Sequence, residues 1–364
     1  MTPEIPTTAK LLVLTGPREM AFKDIELPPM GPQDVVVKAI VSAISHGTEM
    51  NVYRGVAPQL TKIYDQQLRI FRPASGEKPT LPARGYFTPS DAPWGYPLAY
   101  GYANVGRVVA VGSEVESLSV GSLVYTYMPH QTAFVVPADR CVPLPELSDP
   151  ALGVLFANLN TSYNGVLDTD IRIDDTVVIF GQGVVGLLVT QWVKRTAARQ
   201  VITVESIPAR QELSKQFGSD QVLNPFSEDI GLKVRELTGG RGADVVIEVS
   251  GSYAALQEAI RTAAPDTTVT AMSWYGGTGG ALALSDEFHH NRITIKSSQV
   301  GKVGPELSAT HNLARRSEHV IQAFSELNLA PLVSDRVPFA DAPAGYALVD
   351  ARDERTTQVV FTYE

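Results

Sequence analysis

The chain has 364 residues, 44% of them hydrophobic, and at about 100 to 200 residues per domain this length predicts two domains with separate cores. Its 30 basic and 39 acidic residues give a formal net charge of −9 without a basic run, which argues against nucleic acid or membrane lipids as partners. One cysteine, Cys141, excludes a disulfide framework and any metal site built from several thiolates.

The N-terminal stretch MTPEIPTTAK lacks the basic and apolar regions of a secretory signal. The most apolar window, 177–193, is interrupted by glycines and glutamines and does not have the pattern of a membrane span. We therefore expect a cytoplasmic protein.

From residue 10 to about residue 145, short apolar segments are separated by Gly and Pro, which predicts the strands of a barrel or a strongly curved sheet. An irregular insertion, 60–96, interrupts this pattern. Loops of such length in compact domains are usually functional or disordered. The aromatic residues of the insertion favour a functional role: Tyr64, Phe71, Tyr86, Phe87, Trp94 and Tyr96.

From about residue 152, buried strands alternate with helices, as in TVVIF (176–180) and VITVE (201–205). This alternation predicts an α/β domain with a doubly wound parallel sheet. After about residue 295 come one helical segment and a final strand, 356–364. This tail is too short to form a domain, so we expect it to rejoin the N-terminal part.

The motif GQGVVG places Gly181, Gly183 and Gly186 directly after an apolar strand and at the start of a predicted helix. Gly181 permits a tight turn, Gly183 lets the backbone approach a pyrophosphate, and Gly186 allows the helix to pack closely on the strand. Together with Val184 and Val185 at the helix N-terminus, the motif predicts a dinucleotide site.

The next predicted strand ends in Glu205, which we expect to accept hydrogen bonds from the ribose hydroxyls of the cofactor. A carboxylate there repels a 2′-phosphate and so favours NAD(H) over NADP(H). Arg210 follows closely enough to act against this preference. The alternative is an ordinary strand–turn–helix unit with a surface glutamate.

The chain resembles the medium-chain dehydrogenase/reductase superfamily, which includes the zinc-type alcohol dehydrogenases. The resemblance covers nearly the whole chain and rests on DVVVKAIVSAISHGTEMNVYRG, GYANVGRVVAVGSEVESLSVGSLV, GQGVVG and GADVVIEVSG. It implies an α/β protein with a GroES-like β-barrel catalytic domain, 1–152 and 296–364, and a doubly wound Rossmann domain, 153–295. It also implies a homodimer.

Zinc-dependent members of this superfamily carry a catalytic Cys before a Ser/Thr–Asp pair. Thr48–Glu49 matches the pair, but Ser45 or His46 stands in the position of the Cys. Tyr102–Ala103 replaces the His–Glu of the ligand motif, and the third ligand position falls on or near Ala157. A tetrahedral catalytic zinc site needs three protein ligands, so we expect no zinc.

Two segments, SHGTE (45–49) and SSQVG (297–301), are similar to a zinc-less subgroup of the superfamily. This subgroup includes the dehydrogenase that oxidises the hydroxyethyl side chain in bacteriochlorophyll biosynthesis. The similarity implies alcohol–ketone chemistry on a bulky, ring-containing metabolite.

Without a metal, a side chain must handle the proton on the substrate oxygen. His46 is one candidate because histidine titrates near neutrality, and Glu49 would orient it or share its proton. Thr48 matches a proton-relaying hydroxyl of the zinc-dependent relatives, and Tyr102 offers a phenol donor. Each has a structural alternative: a backbone-bonded histidine, an ion-paired glutamate or a tyrosine that fills the cavity.

Further positions follow from the resemblance. Those matching nicotinamide or ribose contacts are Thr161, Ser250, Gly251, Ser273 and Trp274. Separately from the resemblance, Tyr53, Tyr100, Tyr163 and, in the insertion, Trp94 are candidate substrate contacts, and packing is the alternative for the three tyrosines.

We therefore predict a zinc-independent oxidoreductase that transfers a hydride between NAD(H) and an alcohol or ketone group of a ring-containing metabolite. One alternative is an NADPH-dependent enoyl or quinone reductase, which Glu205 argues against. A second alternative is a noncatalytic dinucleotide-binding protein, which would need no group that handles a proton.

Overall fold

The structure, a computed structural model, describes residues 4–65, 67–74, 95–280 and 282–363. The first helix and strands in chain order are β1 (Thr8–Gly16), β2 (Glu19–Glu26), β3 (Asp34–Ala43), α1 (Thr48–Tyr53), β4 (Lys62–Asp65), β5 (Ile70–Pro73), β6 (Leu98–Ala99), β7 (Asn104–Val111), β8 (Leu123–Thr126), β9 (Ala133–Pro137) and β10 (Val142–Pro143).

The central elements alternate between helix and strand, as predicted. They are α2 (Phe156–Leu167), β11 (Thr176–Phe180), α3 (Val184–Val193), β12 (Gln200–Val204), α4 (Pro208–Gln216), β13 (Gln221–Leu223), α5 (Ile230–Leu237), β14 (Val245–Glu248), α6 (Tyr253–Thr262), β15 (Thr268–Ala271), α7 (Glu287–His290), β16 (Thr294–Ser297) and α8 (Leu313–Glu326). The tail contains β17 (Asp335–Pro338), α9 (Ala342–Asp350) and β18 (Val359–Thr362). Among the described residues, no helix combines the length and apolarity needed to cross a membrane.

The chain divides into two compact units. Unit 1 comprises Met1–Phe156 and Val333–Glu364, and unit 2 comprises Ala157–Leu332. The limits between the domains were expected at 152/153 and 295/296, so both differ from those of the structure. Residues 296–332 group with unit 2. Their polar side chains explain this: Ser298 Oγ donates to Asp168 Oδ2 at 2.6 Å, and Arg316 Nη1 donates to Asn164 Oδ1 at 2.6 Å.

Unit 1 is built around β3, which lies in a seven-stranded sheet and pairs antiparallel with β7, β9 and β18. Val35 and Val37 of β3 pack with Val108, Val124 and Phe134 in one buried cluster. Because β18 pairs with β3, the C-terminal tail rejoins the N-terminal part as predicted. A separate three-stranded sheet has the order β2-β1-β6.

The predicted insertion begins with a two-stranded hairpin of β4 and β5. The rings of Tyr64 and Phe71 lie 5.0 Å apart in this hairpin. The aromatic residues Tyr86, Phe87 and Trp94 lie outside the described residues.

Unit 2 contains a six-stranded parallel sheet with the order β13-β12-β11-β14-β15-β16. Alternate residues of β11 face opposite sides of this sheet. Val178 and Phe180 belong to one buried cluster, whereas Val177 and Ile179 belong to another. Both faces are therefore covered, as in a doubly wound fold, and the strand order reverses between β11 and β14. Ligands bind such sheets outside the carboxyl ends of the strands near this reversal.

Candidate functional site

The glycine turn between β11 and α3 lies at this reversal point. Gly181 has φ +91°, a left-handed conformation that favours glycine, and a Cβ there would lie 2.7 Å from Ser250 Cβ. Gly183 precedes the first residue of α3, and a Cβ there would meet nothing within 4 Å. Val184 and Val185 form the first turn of α3. The turn thus presents open backbone at a helix N-terminus, where anionic phosphates are favoured.

Glu205 lies at the carboxyl end of β12 and is 7% exposed. Its Oε2 accepts from Gln182 N at 2.8 Å, in the middle of the glycine turn. Its Oε1 accepts from Ser206 N at 2.7 Å and from Ile207 N at 3.0 Å. The carboxylate therefore holds the shape of the turn, a contact that the sequence did not reveal. Arg210 is half-buried in the first turn of α4.

The loops after β14 and β15 approach each other at the same edge of the sheet. A Cβ on Gly251 would lie 3.8 Å from Ser273 Cβ, and Ser250 packs against Gly181. Gly251 thus lies near Ser273, and Ser250 near Gly181. Trp274 follows Ser273 and is half-buried.

Glu248, which the sequence analysis did not single out, connects these two loops. It is fully buried, and its Oε1 accepts from Ser250 N at 2.7 Å and from the Ser250 hydroxyl. Its Oε2 accepts from the Tyr275 hydroxyl. Burial raises the pKa of this carboxyl above its usual value. The signal in the sequence was a single acidic residue within the otherwise apolar run VVIEV, 245–249.

Helix α2 carries one residue predicted to contact the cofactor, Thr161, and one predicted to contact the substrate, Tyr163, and both have partners within unit 2. Thr161 donates its hydroxyl to Ala157 O at 3.0 Å, one helical turn back. The ring of Tyr163 packs edge-on against Trp192, with centroids 4.9 Å apart, and lies 5.8 Å from His319. Burial raises the pKa of Tyr163.

In unit 1, three half-buried hydroxyl residues meet at the start of α1: Ser45, Thr48 and Tyr102, referred to below as the hydroxyl cluster. Tyr102 donates to Ser45 Oγ and is also hydrogen-bonded to Thr48. Burial raises the pKa of Tyr102, so its phenol remains protonated at neutral pH. The cluster therefore offers hydroxyl donors that a substrate oxygen is able to accept from.

Glu49 lies beneath the hydroxyl cluster and is 0% exposed. Its Oε2 accepts from Ser45 N at 3.1 Å, while His130 Nε2, at 2.9 Å, and the Tyr346 hydroxyl donate to Oε1. It is therefore an internal partner of unit 1 with no surface for a substrate. Sequence analysis had not identified His130, because its neighbours in YMPHQTAF carry no recognisable motif.

His46 contacts the backbone of β18. Val359 N donates to His46 Nε2 at 3.3 Å, which corresponds to the structural alternative named for this residue. Glu49, which was expected to orient His46, pairs through Oε1 with His130.

The described substrate-pocket positions of unit 1 are largely covered. Tyr53 is 7% exposed and contacts the Tyr346 ring at 4.9 Å. Tyr100 is 8% exposed and lies edge-on to Tyr102 with centroids 6.4 Å apart. Trp94 lies outside the described residues.

The donor set around Glu49 does not fit a tetrahedral zinc site. The two carboxylate oxygens already accept three hydrogen bonds, and Ser45 and Tyr102 bind each other. Across the ranges that the structure describes, no three His, Cys, Asp or Glu side chains are grouped so that they could hold a metal.

Comparison with known proteins places these features in a wider group. Residues 184–316 match the family model described as zinc-binding dehydrogenase. D-guloside 3-dehydrogenase of Escherichia coli (strain K12) is 28% identical over 365 residues, covering 97% of this chain and 100% of that protein. L-threonine 3-dehydrogenase of Pyrococcus abyssi is 27% identical over 344 residues, 86% of each chain.

The fold has solved relatives as well. The crystal structure of 2R,3R-butanediol dehydrogenase from Bacillus subtilis matches with a TM-score of 0.75 and 19% identity, covering 97% of this chain and 99% of the other. This similarity confirms the predicted fold class, a GroES-like barrel domain together with a doubly wound Rossmann domain.

Proposed function

We propose that this chain is an NAD(P)-dependent oxidoreductase of the medium-chain dehydrogenase/reductase type, which interconverts a secondary alcohol and a ketone on a ring-containing metabolite. The observation that carries this proposal is the end-to-end match to D-guloside 3-dehydrogenase, 97% of one chain and 100% of the other. We infer a substrate of the same chemical class, a sugar ring in a glycoside.

We further propose NAD(H) as the preferred cofactor, which supplies the hydride acceptor or donor when bound. The glycine turn and the N-terminus of α3 would hold its pyrophosphate, because Gly183 has open space beside its backbone. Glu205 supports NAD(H), since a buried carboxylate at the end of β12 disfavours a 2′-phosphate. The loops carrying Ser250, Gly251, Ser273 and Trp274 would contact the rest of the dinucleotide.

We also propose that the reaction proceeds without zinc. The ligand positions hold Ser45 or His46, Tyr102 and a residue at or near Ala157, and Glu49 is used internally. In ketone reduction, the proton for the substrate oxygen would then come from the hydroxyl cluster, with Tyr102 as donor and Thr48 as its partner. In alcohol oxidation the proton would pass in the reverse direction, from the alcohol to Tyr102 in its phenolate form.

A panel assay tests this function. Purified protein is incubated with NAD⁺ or NADP⁺ and a series of methyl glycosides and cyclic secondary alcohols, and reduced nicotinamide is measured by absorbance. We expect NADH formation with at least one glycoside. A cyclic enone and a quinone, each with NADPH, form the opposite arm. Turnover in that arm alone would overturn the proposal in favour of an enoyl or quinone reductase.

A further inference from the structure

The imidazole of His130 lies in the interior of unit 1 and is 1% exposed. Nε2 lies 2.9 Å from Glu49 Oε1, and Nδ1 lies 2.6 Å from Ser42 Oγ. The Ser42 hydroxyl also lies 2.7 Å from the Tyr363 hydroxyl. Although Ser–His–Glu is the order of a hydrolytic triad, Ser42 is 1% exposed and no substrate reaches it. The network therefore serves another purpose.

His130 touches both segments that carry the hydroxyl cluster. It reaches the turn before α1 through Glu49, whose other carboxylate oxygen accepts from Ser45 N at 3.1 Å. It reaches the segment before β7 through its own backbone, since His130 N donates to Tyr100 O at 3.3 Å. Its ring also packs on Gly101, where a Cβ would lie 2.7 Å from His130 Cδ2. Tyr102 follows directly.

Removal of the Nε2 donor of His130 would change the position of Ser45. Glu49 is fully buried, and a buried carboxylate is costly unless hydrogen bonds satisfy it. Without the His130 bond, Oε1 keeps the bond from the Tyr346 hydroxyl, and rotation of the carboxylate towards other donors becomes favourable. Any such turn moves the acceptor of the Ser45 N–H and with it the Ser45 hydroxyl that Tyr102 binds.

We propose that His130 is a positioning residue, which holds the Ser45–Glu49 turn through Glu49 and so fixes the hydroxyl cluster for proton transfer. This inference rests on the proposed function. The Nε2 bond to Glu49 then affects the rate of the reaction, whereas the Nδ1 bond to Ser42 keeps the imidazole ring in place.

Two amide substitutions separate the two bonds. His130→Gln places an amide nitrogen near the position of Nε2 and keeps a donor for Glu49. His130→Asn places its amide near the position of Nδ1 and keeps a partner for Ser42 alone. His289→Asn, at an exposed position in α7, is the matched surface control.

The readouts are kcat and KM with the best methyl glycoside, NADH affinity, and hydrogen–deuterium exchange of peptides that cover 43–52 and 98–104. For His130→Asn we expect kcat to fall about a hundredfold, the scale of a small misplacement of reacting groups, with unchanged NADH affinity and faster exchange in both peptides. For His130→Gln we expect kcat within about tenfold of wild type, since one neutral hydrogen bond is of that order. The His289→Asn control should match wild type.

Equal losses in the Gln and Asn variants, or an Asn variant with wild-type kcat, would overturn the positioning role and leave the proposed function standing. Wild-type protein that turns over no member of the panel would instead overturn the proposed function. In that case the exchange data still decide whether His130 holds the two segments, because unchanged exchange in His130→Asn refutes it. Should His130→Asn not fold, Glu49→Gln replaces it, with the same exchange expected in 43–52.

Discussion

Gly181 and Gly186 meet backbone to backbone: the carbonyl oxygen of Gly181 lies 2.0 Å from the point where a Cβ on residue 186 would stand. The contact is between a strand end and the helix that follows it, neither of which is free to shift. Gly183 lies between them, and a Cβ on this residue would meet nothing within 4 Å. The three glycines of one motif therefore have separable physical roles.

Gly186→Ala and Gly183→Ala should consequently behave differently. Gly186→Ala should destabilise unit 2 by at least about 1 to 3 kcal/mol, because the new methyl group overlaps a backbone oxygen. Gly183→Ala should fold normally but bind NADH more weakly, since the methyl group occupies the space that a pyrophosphate needs. Thermal unfolding and NADH titration, made on both variants, check this. Equal melting temperatures for the two variants would contradict it.

Replacement of Glu205 tests the cofactor preference. Glu205→Ser should weaken NADH binding by roughly ten- to a hundredfold, since a charge-assisted hydrogen bond is worth about 1.5 to 3 kcal/mol. It should also relax discrimination against NADPH, because the repelling charge is gone. Glu205→Gln is the companion variant: it removes the charge and keeps one oxygen, which can accept either from Gln182 N or from Ser206 N and Ile207 N. A wild-type protein that prefers NADPH would show that the role assigned to Glu205 is wrong.

The hydroxyl cluster should carry the proton. Tyr102→Phe should lower turnover by about 10² to 10⁴-fold, the usual contribution of general acid–base groups, without changing NADH affinity. Burial raises the pKa of Tyr102 above its ordinary value of 10.0, so the phenol remains protonated at every pH below that value. The rate of ketone reduction by the wild-type protein should therefore show no decrease from ionisation of this group between about pH 6 and 9.

The companion variant is His46→Ala. Its Nε2 accepts from Val359 N, outside the hydroxyl cluster, so we expect a smaller loss of turnover than for Tyr102→Phe. The pH profile of kcat is measured for both variants. A larger loss in His46→Ala, together with the disappearance of an ionisation near neutrality, would make His46 the proton donor instead.

Metal content is a further test. The positions that match the zinc ligands hold Ser45 or His46, Tyr102 and a residue at or near Ala157, so elemental analysis should find far less than one zinc per chain. Prolonged incubation with a chelator should leave turnover unchanged. Stoichiometric zinc, with activity lost on chelation and restored by zinc alone, would refute a zinc-independent reaction.

Assembly is expected to be dimeric. Strand β16 lies at one end of the parallel sheet in unit 2, and proteins of this superfamily commonly pair such sheets about a two-fold axis. Light scattering should therefore give a mass near twice 39.3 kDa. A mass of one chain at micromolar concentration would contradict this prediction.

The cofactor side of the protein was predictable because its signals are local. A glycine turn, the strand before it and the helix after it are consecutive in sequence. The spacing of Gly181, Gly183 and Gly186 therefore predicts the local backbone geometry. The parallel sheet follows from strand–helix alternation for the same reason. Glu248 escaped detection because nothing nearby shows that its carboxylate joins two loops.

The surroundings of the residues proposed to transfer the proton were only partly predictable. The segment 45–49 and Tyr102 were found by resemblance, but the distant partners of Glu49 were not. Glu49 was expected to orient His46, three residues earlier, whereas it pairs with His130, which is 81 residues later. A second partner, Tyr346, is 297 residues away.

The amino-acid sequence by itself determined the two-part organisation and the glycine turn after β11, and it excluded a metal site built from several thiolates, since each depends on residue type and short-range order. Only the tertiary structure decided which polar groups satisfy one another inside unit 1. A buried carboxylate takes whichever donors the packed strands bring within reach, and here those donors come from strand-flanking and helical positions far apart in the chain. In this way Glu49 came to pair with His130.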